Sequence, residues 1–192
     1  MKAYLQPSEI IDWQEAAILD IARSLASGAQ TVEAIAQACF EWVRDEIHHS
    51  VDYQLNPVTC RASEVLQHKT GYCYAKSHLL AALLRANHIP TGFCYQRLSL
   101  DETGSHYCLH GLNAVYLPKF GWYRLDARGN REGVDAQFAP PYEQLAFKLQ
   151  FAEEADFPDI LPEPLTVVIE LLQTQHTWDA VLRNLPDATA IA

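Results

Sequence analysis

Apolar residues recur at three- and four-residue steps in two stretches near the start of the chain. In the first, Ile10, Ile11, Trp13, Ala17, Ile18, Ile21 and Leu25 predict a helix capped by Ser8 and ended near Ser27-Gly28. In the second, Thr31 opens a helix whose buried stripe is Val32, Ile35, Ala36, Cys39, Phe40, Val43 and Ile47. The pattern is then lost from His48 to Arg61, where Asn56-Pro57 marks a turn, and a short helical turn follows at Ser63 to Leu66. A third helix begins abruptly at Cys73 after Thr70-Gly71, carries Ala75, Leu79, Leu80, Ala82, Leu83 and Leu84, and stops before Ile89-Pro90.

From Thr91 the period changes from helical to alternating. Strands are expected over Gly92 to Leu98, His110 to Leu117 and Trp122 to Asp126, separated by a polar loop and a tight turn at Pro118 to Gly121. Two more helices are expected near Leu165 to Gln173 and from Thr177 or Trp178 to Leu185. Helices followed by consecutive antiparallel strands describe an α+β fold in which helices cover one face of a sheet. The 192 residues fit a single domain spanning 1–192, with a core at about 60–130 and a C-terminal helical segment at about 160–190.

Composition narrows the function. With 49% apolar residues and plentiful aromatics the chain builds a packed core, and its net charge of −10 disfavours nucleic acid and anionic membrane as partners. No stretch reaches the ~18 apolar residues of a membrane span, and Met1 to Pro7 lacks the apolar segment of an export signal, so a cytoplasmic protein is expected. The five cysteines, at 39, 60, 73, 94 and 108, are an odd number and are expected to be reduced. Cys39 and Cys94 read as small buried hydrophobes.

Cys73 stands apart, because a helix N-terminus favours the thiolate through its free N–H groups and its dipole, and the same groups can receive an oxyanion. A thiol nucleophile also needs a base, and the hairpin offers one. If its loop runs from Leu117 to Gly121, Tyr116 pairs with Trp122, Asp126 falls opposite Leu112, and His110 and Asp126 become diagonal neighbours on one face. A loop one residue shorter would put them on opposite faces. Read singly, Cys73 is a buried thiol, His110 a strand histidine and Asp126 a turn former; read together they are a nucleophile, its base and the residue that orients the base.

These blocks resemble the transglutaminase-like superfamily of papain-type cysteine enzymes. Gly71-Tyr72-Cys73 followed by a small, apolar helix and Leu84-Arg85-Ala86-Asn87-His88-Ile89-Pro90 matches its cysteine segment, His110-Gly111-Leu112-Asn113 its histidine strand, and Trp122-Tyr123-Arg124-Leu125-Asp126 its acidic block. Leu112 replaces a frequent tryptophan, and Asn87-His88 replaces a common Ala-Gly. The resemblance implies a papain-like fold and acyl chemistry on a carboxamide of a peptide, protein or small amide, by hydrolysis or amine transfer through a thioester; separately, no cofactor and no metal are expected. Two rival readings remain. His106, Cys108 and His110 alternate along a strand, and with Cys60, His68 and Cys73 they could supply zinc ligands. Alternatively the fold is a catalytically inert peptide-binding module, whose thiol would be sluggish. Gln67 and Tyr53 are polar candidates for a second oxyanion donor, Asn113 for support of the hairpin face, and Tyr72, Tyr74 and Trp122 for the cleft lining.

Overall fold

A computed structural model describes residues 1–191. In chain order it contains α1 (Ala16–Ala26), α2 (Val32–Glu46), β1 (His48–His49), α3 (Ser50–Tyr53), α4 (Ala62–His68), β2 (Thr70–Gly71), α5 (Cys73–Ala86), β3 (Thr91–Ser99), β4 (Tyr107–Leu117), β5 (Gly121–Leu125), β6 (Gln137–Ala139), β7 (Tyr142–Gln144), β8 (Ala155–Asp156), α6 (Thr166–Thr174) and α7 (Trp178–Arg183). The fold is α+β: four antiparallel strands in the order β5-β4-β3-β8, with α5 packed against β3 and β4. Among the described residues no helix is long and apolar enough to cross a membrane.

The first helix starts later than its apolar spacing predicts. The Ser8 Oγ accepts the Ile11 N–H at 3.1 Å as an N-cap would, but bends over residues 9–11 follow it and no helix does. Asp12 is drawn out of any helix by a tertiary contact: its carboxylate accepts the Ser63 N–H at 3.0 Å and the Ser63 hydroxyl at 2.5 Å, while the Ile10 carbonyl accepts the Ala62 N–H at 2.9 Å. Residues 8–13 therefore dock onto the start of α4, and their buried Ile10 and Ile11 give the appearance of helical period. Thr31 caps α2 as its position predicts, with Oγ1 accepting the Ala34 N–H.

α5 is buried from Cys73 through Arg85, polar residues included. Buried polar groups of a core helix need partners, and here the partners found are carbonyls, with the His78 Nε2 left unbonded. Lys76 donates to Arg44 O at 3.2 Å and to Ile47 O, so its amine satisfies carbonyls left free at the C-terminal end of α2. The His78 Nδ1 donates to Cys60 O at 2.7 Å, and Arg85 donates to Thr91 O at 2.9 Å and Gln6 O at 2.8 Å. Asn113 supports the hairpin from the helix side, donating to Ser77 O at 3.1 Å and Gly92 O at 3.2 Å.

Two contacts bring the start of α5 to β4. The Tyr74 hydroxyl donates to Leu109 O, beside His110. Gly111 then lets the backbones close, since a Cβ there would stand 2.8 Å from Tyr74 Cδ1 and 3.4 Å from its Cα. Gly71 also acts through space rather than through a sharp turn: it lacks a positive φ, and a Cβ there would meet Ala75 Cβ at 3.1 Å.

Candidate active site

The β4–β5 turn has the five-residue form. Tyr116 pairs with Trp122 and Leu117 with Gly121, which carries φ +77, and Asn113 pairs with Leu125, so Leu112 and Asp126 are next in register. In that register His110 Nε2 lies 2.7 Å from Asp126 Oδ2, both side chains almost fully buried. A carboxylate can only accept, so Nε2 carries the proton and Nδ1 is left for the thiol. Asp126 is itself fixed by the Arg128 N–H on Oδ1 at 3.1 Å and the Ala146 N–H on Oδ2 at 3.3 Å. Cys73 is the first residue of α5, 8% exposed, and faces the same cleft as His110, whose proton affinity its sulfur raises. The N–H groups of this first helical turn have no partner within the helix.

Burial alone would lower the affinity of His110 for a proton. The Asp126 carboxylate and the Cys73 sulfur more than offset it, raising the imidazole to about 10. Asp126 is held below the usual carboxylate range: burial opposes ionisation, but His110 and the two backbone N–H groups win. The geometry thus favours an imidazolium paired with the Asp126 carboxylate. The other four cysteines are pushed up to about 12, chiefly by burial.

The native state keeps the His110 proton to near pH 10, whereas an unfolded chain releases it near ~6.5. The stabilisation it gives is complete below about 6.5 and fades as pH rises toward 10. Lys76, lowered to about 7 mainly by burial, acts with the opposite sign above that pH. The useful readout is therefore a difference: in urea denaturation, the stability gap between wild type and His110→Gln should shrink steadily from pH 6.5 to 10. A gap constant across that range would contradict the ion pair.

Cys73 and His110 line one cleft of about 760 Å³. Its walls include apolar Leu98, Leu100, Phe151, Leu182 and Leu185 as well as charged Asp52, Arg128, Arg131 and Lys148. Phe147 covers the imidazole edge-on, with ring centroids 5.1 Å apart at 87°. The Arg128 guanidinium grips Asp52 at 2.5 and 2.9 Å. Helix α7 is pinned beside the cleft by Trp178, whose carbonyl accepts from the Tyr72 hydroxyl and whose N–H donates to Asn56 Oδ1 at 2.8 Å.

Tyr72 and Tyr74 line the cleft as expected, but Trp122 does not: it packs edge-on against Tyr4 and Tyr116. Gln67 and Tyr53 are exposed and also lie outside it, Tyr53 stacked on His48 at 4.2 Å. The zinc reading meets a geometric obstacle, because His106 turns to solvent and binds Asp101 at 2.8 Å. Among the described residues no three His, Cys, Asp or Glu side chains are gathered as a metal requires. The sequence reading missed His49, Arg128 and Phe147 in the cleft wall. A histidine just beyond the apolar stripe of α2 was the one available signal.

A family model for the transglutaminase-like superfamily matches residues 19–127. No curated protein matches the chain. Among solved structures, a candidate cysteine protease from Cytophaga hutchinsonii superposes with a TM-score of 0.54 at 19% identity, over 65% of this chain and 40% of that one. The periplasmic domain of TgpA from Pseudomonas aeruginosa gives 0.49 at 21% identity, over 65% and 45%. A red sea bream transglutaminase gives 0.46 at 13% identity, over 61% and 27%. The chain therefore spans less than half the length of each of these structures.

Proposed function

The chain belongs to the transglutaminase-like superfamily, and from that premise we propose that it is a cysteine-dependent acyl-transfer enzyme acting on amide bonds, with Cys73, His110 and Asp126 as its triad. The observation that carries this reading is His110, held by Asp126 at 2.7 Å through Nε2 with the Cys73 thiol as its other neighbour.

The Cys73 thiolate attacks the amide carbon, forming a C–S bond and an oxyanion that the first-turn N–H groups of α5 can receive. As the C–N bond breaks, the imidazolium of His110 gives its proton to the departing amine. Water or a second amine then attacks the thioester and returns a proton to His110. Hydrolysis is the preferred second half, because water needs no amine-binding site. The substrate is a peptide, protein or small amide, and the apolar wall favours an uncharged group beside the scissile bond.

Incubation with p-nitrophenyl acetate, acid quench and peptide mapping tests this directly. A hydroxylamine-labile acetyl group on Cys73 is expected within seconds. Acetyl found only on lysines, or nowhere, would favour the inert peptide-binding module.

A further inference from the structure

We propose that His49 is a further catalytic residue of this cleft, its imidazole donating a hydrogen bond to the carbonyl oxygen of the amide that Cys73 attacks. The inference rests on the acyl chemistry proposed above and completes its oxyanion site.

His49 is placed by backbone pairing. β1 runs parallel to β2 with His49 opposite Gly71, which fixes position 49 beside the chain two residues before Cys73. The ring, 7% exposed, lines the same cleft as Cys73 and His110 and packs on Tyr72 at 5.6 Å and 59°. Its Nδ1 is sealed and bonds nothing, the only buried unpartnered polar side-chain atom among the described residues that line this cleft. The nearest carboxylate oxygen, Asp52 Oδ2, is 3.9 Å away, beyond hydrogen-bond length, and belongs to the pair with Arg128. With Nδ1 closed off, Nε2 is the ring nitrogen left to meet a ligand.

An incompletely bonded buried histidine costs on the order of 1–3 kcal/mol, which a packed core would avoid by placing an apolar residue there. Its surroundings also define what it can do. Burial, reinforced by Arg128, Lys76 and His110, holds it well below the ordinary histidine range, so it stays neutral. A ring that resists a proton is a poor second base. A neutral N–H inside a positive field suits an oxygen that becomes negative only in the transition state.

Two reactions at the same sulfur separate this role from a structural one. Alkylation by iodoacetamide displaces iodide from a saturated carbon and forms no oxyanion, whereas acylation by p-nitrophenyl acetate passes through one. In the full chain, His49→Ala and His49→Asn should slow acylation about 10²-fold while alkylation of Cys73 stays within about twofold. His49→Gln places an amide nitrogen near the Nε2 position and should recover about tenfold over His49→Ala. Wild-type acylation in His49→Ala, equal loss of both reactions, or no recovery with glutamine would each overturn the assignment. If the wild-type protein is alkylated at Cys73 but never acylated, the acyl-transfer reading itself fails, an outcome distinct from these three.

Discussion

Replacing Cys73 with alanine should reduce p-nitrophenyl ester turnover to the uncatalysed background, a loss of roughly 10⁶-fold if the sulfur is the nucleophile. The reason is chemical: alanine leaves no atom to form the thioester, while His110, Asp126 and the helix terminus remain. The fold should barely register the change. Cys73 sits at the mouth of a cleft with 8% of its surface exposed, and removing one sulfur from such a site costs about 1 kcal/mol or less. Removing the sulfur also leaves the His110 imidazolium with Asp126 alone, so the variant should retain the pair as a buried ion pair. Turnover measured with thermal melting therefore separates chemistry from stability. Residual turnover above about 1% of wild type would show that another group attacks.

The second large effect is expected at Asp126. Asp126→Asn should lower ester turnover by about 10²- to 10⁴-fold and destabilise the protein by about 3–5 kcal/mol. The wild-type carboxylate accepts from His110, the Arg128 N–H and the Ala146 N–H, joining β4, the segment after β5 and the 145–150 segment. An asparagine offers one oxygen for those three donors and turns an amide toward one of them. His110 then loses the partner that fixes its tautomer and the charge that raises its proton affinity, so its titration should fall toward that of an ordinary buried histidine. Two readouts are needed because either effect alone has another cause. A loss of stability with unchanged turnover per folded molecule would make Asp126 purely structural.

The parts of the site that were legible in the sequence are those whose geometry is local. The separation of Leu117 from Gly121 fixes the β4–β5 register, and that register puts His110 and Asp126 on one face. The start of α5 is equally local: Thr70-Gly71 breaks the preceding helix and Cys73 opens the next one. What sequence could not give is contact across the chain. His49 reaches the cleft through a two-residue parallel pairing with residues 70–71, which leaves no periodic trace. Asp12 looks like one more residue of a helix until its bonds to Ser63 are seen. Within α5, the polar Lys76, His78 and Arg85 are buried, each against a carbonyl supplied by a segment outside the helix. Phe147 covers His110 from a stretch after β7 with no regular pattern of its own.

The account stands on the Cys73 sulfur being held as a reactive thiolate by His110. The most direct measurement is the rate of iodoacetamide alkylation at each of the five cysteines near pH 6, followed by peptide mapping of the native protein. Four of them, buried and raised to about 12, should stay unmodified while Cys73 reacts at least about 10²-fold faster and slows in His110→Gln. Uniform, slow labelling of all five, unchanged by His110→Gln, would contradict it.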